Sequence, residues 1–191
     1  MRKTISTLTF VAALVTGAAV SAQDAADETL SMGEEVQQRE EATYIKEEYG
    51  DWKLRCFRSE AEEDPCQLYQ LLRQNEDVQR PVAEISVFRL PEGGQAEAGA
   101  TVIVPLGTLL TQGMQIAVDD GKAKSYQFVF CNQVGCMARI GLTSEDVEAF
   151  KRGAEATLRI VPAQAPNQNI NIPVSLTGFT DGYENASVVR N

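Results

Sequence analysis

Residues 169–176 read NINIPVSL, an alternation in which Ile170, Ile172, Val174 and Leu176 take one parity and Asn169, Asn171 and Ser175 the other. A period of two is the signature of a strand with one buried face. Pro173 falls on the polar parity and has no N–H to give a ladder, so the strand is expected at a sheet edge.

The same period recurs upstream in DWKLRCF, CQLYQLL, PVAEISVFRL, TVIV, MQIAV, SYQFVF, CMARI and ATLRIV, for about nine strands between Asp51 and Leu176. Asp119-Asp120-Gly121 supplies residues that tolerate the positive φ of a tight hairpin, and residues 91–99 read as a longer mobile loop. One helix interrupts the pattern, in LTSEDVEAFKRG. Thr143 or Ser144 caps it, Glu145 and Asp146 suit its positive end, Lys151 and Arg152 suit the other end, and Gly153 stops it. Short strands without βαβ alternation predict an all-β, antiparallel sandwich with one short helix. Trp52 is expected in its core.

The flanks are of another kind. Residues 1–22 combine a basic start (Arg2, Lys3), an apolar stretch from Ile5 to Val15 and the small-residue site Val20-Ser21-Ala22, which together predict a signal peptide cleaved after Ala22. The apolar stretch is too short for a retained span, which needs about 20 residues. Residues 23–48 carry nine acids against Arg39 and Lys46 and are expected to form a flexible or weakly helical segment. The folded domain is then residues 49–182, with a C-terminal tail at 183–191.

The chain has 17 basic and 27 acidic residues; loss of residues 1–22 removes two positive charges and leaves a net −12 over 169 residues. That charge repels nucleic acid and anionic lipid headgroups. There is no histidine, which removes the Ser/His/Asp and Cys/His nucleophile arrangements and histidine-ligated zinc and copper. The acidic runs Glu47-Glu48-Asp51 and Glu62-Glu63-Asp64 lie outside the apolar segments and read as solvated faces. Asp119-Asp120-Gly121 and Asp181-Gly182 lack the alternate acidic ligands of a calcium loop and read as turns. VPLGTLLTQG lacks the spacing and lysine of a phosphate loop. Asn185-Ala186-Ser187 is a glycosylation sequon only in a eukaryotic secretory route. No catalytic, cofactor-binding or metal-binding residues are assigned.

Four cysteines in an exported chain predict disulfides. The spacings favour Cys56 with Cys66 and Cys131 with Cys136, the latter across a hairpin whose loop is Asn132-Gln133-Val134-Gly135. Zinc would want tighter ligand hooks. A dithiol catalyst would want C-x-x-C at a helix N-terminus, so a periplasmic thiol-disulfide oxidoreductase using Cys131 and Cys136 is the alternative rather than the leading reading.

GDWKLRC (50–56), PCQLYQ (65–70), VPLGTLLTQGMQIAVDDG (104–121), CNQVGC (131–136) and VSLTGF (174–179) together resemble the invasion-associated locus B family of exported bacterial proteins. The resemblance covers about Tyr49 to Gly182. It implies an immunoglobulin-like β-sandwich in the periplasm or cell envelope and, in pathogenic members, an association with host-cell entry; it implies no catalytic residues. The expected function is therefore a non-enzymatic envelope protein that meets a protein partner, in the envelope or on a host cell, by strand addition at the Pro173-bearing edge or through the 91–99 loop.

Overall fold

The computed structural model describes residues 42–75 and 80–189. The expected signal peptide and most of the acidic segment lie outside the described residues. Period-two sequence becomes eleven strands: β1 (Thr43–Tyr49), β2 (Trp52–Phe57), β3 (Cys66–Leu72), β4 (Ala83–Arg89), β5 (Ala98–Val104), β6 (Met114–Val118), β7 (Lys124–Tyr126), β8 (Phe128–Cys131), β9 (Cys136–Leu142), β10 (Glu155–Ile160) and β11 (Ile170–Ser175). They form two antiparallel sheets, ordered β1-β2-β3-β4-β5-β9-β8 and β11-β10-β6-β7. The sheets pack as an immunoglobulin-like sandwich. β11 is an edge strand, as Pro173 requires.

Alternation decides what is inside. Leu68, Ile85, Val87, Val102, Ala138 and Ile140 from the large sheet meet Met114, Ile116, Leu158, Ile172 and Val174 from the small one in one core. Each fully buried Leu, Ile or Val contributes roughly 1.5–3 kcal/mol of transfer free energy. The chain changes sheets at Gln127, which splits the expected SYQFVF strand into β7 and β8.

Three expectations need correction. Residues 43–48, assigned by composition to the flexible segment, form most of β1. The strand holds because Tyr44 packs on the Leu54–Cys56–Cys66 cluster while its charged residues face water. Among the described residues there are two α-helices rather than one: α1 (Ser144–Arg152) and α2 (Phe179–Asn185). α2 contains the Asp181-Gly182 read as a turn. Its propensity is poor, but Phe179 and Tyr183 are buried and a Cβ at Gly182 would lie 2.5 Å from Leu68, so packing against the sheet makes the helix. Residues 187–189 of the expected tail are woven into the large sheet. Ser187 N–H donates to the Cys66 carbonyl, Arg89 N–H to that of Ser187 and Val189 N–H to that of Arg89.

Two motifs 123 positions apart clasp the sheets together. The Trp52 indole donates to the Ser175 carbonyl at 2.8 Å, and Gln70 Nε2 donates to the same oxygen at 3.0 Å. Ser175 Oγ donates to Asp51, and Asp51 N–H to the Thr177 carbonyl. Gly50 and Gly178 have φ of 57° and 85°, and a Cβ at Gly178 would sit 2.0 Å from the Tyr49 carbonyl oxygen. Only glycine lets these backbones cross. Trp52, fully buried, meets Phe179 edge to face with centroids 5.4 Å apart.

α1 begins with a capping box: Thr143 Oγ1 accepts from Asp146 N–H, and Asp146 Oδ2 accepts from Thr143 N–H. Partial burial pushes the Asp146 carboxyl up. The bond from Lys124 and the two from Thr143 outweigh that and hold it below the usual carboxylate range.

Trp52→Phe is expected to lower unfolding free energy by about 2–4 kcal/mol, through an unfilled volume and a lost donor, with an unchanged m value in urea. Asp146→Asn is expected to cost about 1 kcal/mol at pH 7. Because Asp146 titrates lower when folded, its contribution is complete above its unfolded pKa of about 3.9 and lost as pH falls through the folded value. Urea titrations at pH 7 and pH 2.5 should therefore show the gap between wild type and variant closing in acid.

Candidate interaction surface

The cysteines pair as the spacing suggests, Cys56–Cys66 and Cys131–Cys136, each with Cα atoms 4.0 Å apart. Phe57 N–H bonds to the Pro65 carbonyl and Asn132 N–H to that of Gly135. The neighbouring cysteine pairs are therefore the non-hydrogen-bonded ones, where antiparallel strands approach most closely. Cys131 ends one strand and Cys136 begins the next, neither at a helix N-terminus, which argues against the oxidoreductase alternative.

The expected strand-addition edge is poorly built for that role. Leu176 N–H bonds toward β10 at Ala154, so Asn171, Pro173 and Ser175 turn their main-chain groups to the open side. Pro173 has no donor there, and the Ser175 carbonyl is occupied by Trp52 and Gln70. The other edges are also blunted. β1 has a register shift between Ile45 and Glu47 and carries Lys46, Glu47 and Glu48; β8 is four residues with a shift between Phe128 and Phe130; β7 is three residues long. The 91–99 loop is tied at its base by Leu90 N–H to Glu97 and Glu97 N–H to Leu142.

A face remains. Register places Leu71 beside Glu84, Glu84 beside Ile103, Ile103 beside Met137, and Met137 beside Phe130, one row across five adjacent strands on the outer side of the large sheet. Four of the five are apolar, and Phe130 is 43% exposed. The Glu84 carboxylate accepts from Tyr69 at 3.1 Å. Burial first, then this carboxylate, raises the Tyr69 pKa. The row runs into a groove of about 490 Å³ lined by Pro81, Val82, Pro105, Leu106 and Val134 among others, where Leu106 is 58% and Val134 74% exposed. Solvent-facing apolar residues in contiguity mark a contact surface.

The stapled hairpin shapes one wall of this groove. Asn132 Oδ1 accepts from Val134 and Gly135 N–H, and a Cβ at Gly135 would lie 2.4 Å from the Val104 carbonyl oxygen. The turn is thus pressed onto β5 with Val134 projecting from it. Beyond the apolar row, Lys53, Tyr69, Ser86, Thr101 and Arg139 form a polar one. The Arg55 guanidinium lies 3.7 Å from the Tyr69 ring centroid and donates to Ser86 Oγ.

Several residues of the acidic runs serve local structure, while Glu62 and Glu63 are exposed. Asp64 accepts from Ser59 and Tyr44, Glu48 pairs with Lys53, and Asp51 accepts from Ser175 at the exposed end of the clasp. Main-chain N–H donation from Ser59, then the Tyr44 hydroxyl, lowers the Asp64 pKa. In the sequon, Asn185 donates to the Asp181 carbonyl and Ser187 Oγ accepts from Cys66 N–H. Among the described residues no three of His, Cys, Asp and Glu gather as a metal site, and no helix is long and apolar enough to cross a membrane. Sequence reading missed the apolar row. Its trace is that TVIV and CMA are apolar on both parities, which a strand with one wet face does not need.

Comparison with known proteins agrees with this architecture. The family described as invasion associated locus B (IalB) protein matches residues 52–187. Two invasion protein B homologues of Brucella abortus, from strain 2308 and from biovar 1 strain 9-941, are each 26% identical over 138 residues, 72% of this chain and 76% of theirs. The crystal structure of invasion-associated protein B from Bartonella henselae superimposes with a TM-score of 0.60 at 26% identity, covering 71% of this chain and 91% of that one. With the match reaching from Trp52 at the clasp to Ser187 in the woven C-terminal segment, the chain belongs to the invasion-associated locus B family.

Proposed function

We propose that this protein is a non-enzymatic, exported module of the bacterial envelope that binds a protein partner through the apolar row and groove at Ile103, Met137, Phe130, Leu106 and Val134. The observation that carries the reading is their solvent-facing contiguity across adjacent strands, beside a hairpin held by a disulfide. Residues 1–22 act as a cleaved signal peptide, and two disulfides with no free cysteine suit an oxidising compartment such as the periplasm. The Brucella and Bartonella relatives are named for invasion, which supports an invasion-related role for this protein. The same surface serves an envelope partner where no host is involved.

A photo-crosslinking amino acid at Val134, introduced in the producing cell, is expected to give a protein adduct that the same residue at Glu148 does not. Phe130→Asp, at an exposed position, should lower the adduct yield about tenfold or more while leaving the urea midpoint nearly unchanged. Equal adducts from both sites, or none from Val134 in cells alone and in cells with host cells, would refute the assignment.

A further inference from the structure

The two disulfides differ in their surroundings. Cys56 and Cys66 are 0% and 6% exposed, packed with Leu54 and Ala186 and covered by Tyr44. Ser187 closes over them, its N–H and Oγ bonded to the main chain of Cys66. Cys131 is exposed at the last position of edge strand β8, whereas Cys136 is 2% exposed and inside the sheet. As a non-hydrogen-bonded partner of Cys136, Cys131 turns its own N–H and carbonyl away from β9, toward the open side. Val129 and Val134, in the same hairpin, are exposed.

We infer that Cys131 is a modification site, the sulfur at which a protein dithiol of the C-x-x-C class exchanges with this protein and opens Cys131–Cys136 while Cys56–Cys66 stays closed. The protein is here the substrate of exchange, not its catalyst. The exchanger's thiolate attacks Cys131 Sγ. A mixed disulfide forms, the Cys131–Cys136 bond breaks, and Cys136 leaves as a thiolate that takes up a proton inside the sheet. The exchanger's second thiol then attacks its own bonded sulfur, releasing Cys131 as a thiol and leaving the exchanger oxidised, so two electrons pass to the pair. The exchanger is received at the exposed Cys131 and by the exposed apolar side chains of the hairpin beside it.

The opened hairpin keeps its other ties. Asn132 still bonds Gly135 and Val134, and Cys136 still pairs with Val104 in β5. The result is a local loosening of β8 and of the turn that presents Val134, so the wall of the apolar groove becomes sensitive to thiol state. The exchange itself does not depend on a partner for that groove.

The test uses the oxidised mature protein in native buffer, treated with dithiothreitol, quenched by alkylation over time and mapped by peptide mass spectrometry. Cys131 and Cys136 are expected to be tagged at least ~100-fold faster than Cys56 and Cys66, whose exposure waits on global opening. A C-x-x-S variant of a thioredoxin, which stalls at the mixed disulfide, should be trapped on Cys131. Loss of both bonds at one rate, prior loss of Cys56–Cys66, or trapping on Cys136 would overturn the inference. So would failure of the Cys131→Ser, Cys136→Ser double variant to fold, because thiol exposure would then report collapse rather than local exchange.

Discussion

The indole of Trp52 sets the relation between the two sheets. Apolar burial is non-directional and tolerates sliding of one layer over another, whereas a buried N–H left without an acceptor costs about 1–3 kcal/mol. By donating to the Ser175 carbonyl, Trp52 ties β2 of one sheet to β11 of the other at a single relative position. Gln70, a buried amide, donates to the same oxygen, and the crossing of Gly50 and Gly178 brings the chains close enough for these bonds to form. The clasp also consumes main-chain groups that would otherwise leave β11 open, so cohesion of the sandwich and protection of its edge have one cause.

The disulfides lie where apolar burial is thinnest. A four-stranded sheet cannot cover seven strands, and the margins of the larger sheet extend past the shared core. On one margin α2 and the C-terminal segment cover a small separate cluster that includes Cys56 and Cys66. On the other, β8 packs on the core through Phe128 alone of its apolar residues in that cluster, and Cys131–Cys136 ties its far end to β9. In the chain-entropy account rings of this size contribute about 2–3 kcal/mol each, comparable with the stability that separates an ordered margin from a frayed one.

Blunted edges and an apolar outer row together define the kind of surface this fold offers. Register shifts, Pro173, edge charges and short strands discourage another chain from extending either sheet. The exposed row on the outer face is open to a side-chain contact that needs no unpaired main chain. In a chain of net charge −10 the row is formally charged only at Glu84, and that carboxylate is engaged by Tyr69. Such a surface discriminates by shape and desolvation more than by long-range attraction.

Period-two alternation, turn residues and cysteine spacing determined the all-β class, most strands, the edge place of β11, the capped helix at Ser144–Arg152 and both disulfide pairings. These are local signals, readable because side chains alternate by strand geometry and nearby hairpin positions face each other. What only tertiary structure decided was non-local. α2 forms because Phe179 and Tyr183 find a cavity made by other strands, residues 43–48 become a strand because β2 offers them a ladder, and Leu71, Ile103, Met137 and Phe130 become one surface because the order of pairing sets them side by side. Which strand neighbours which depends on the packing of the whole core, and no local window of sequence contains that information.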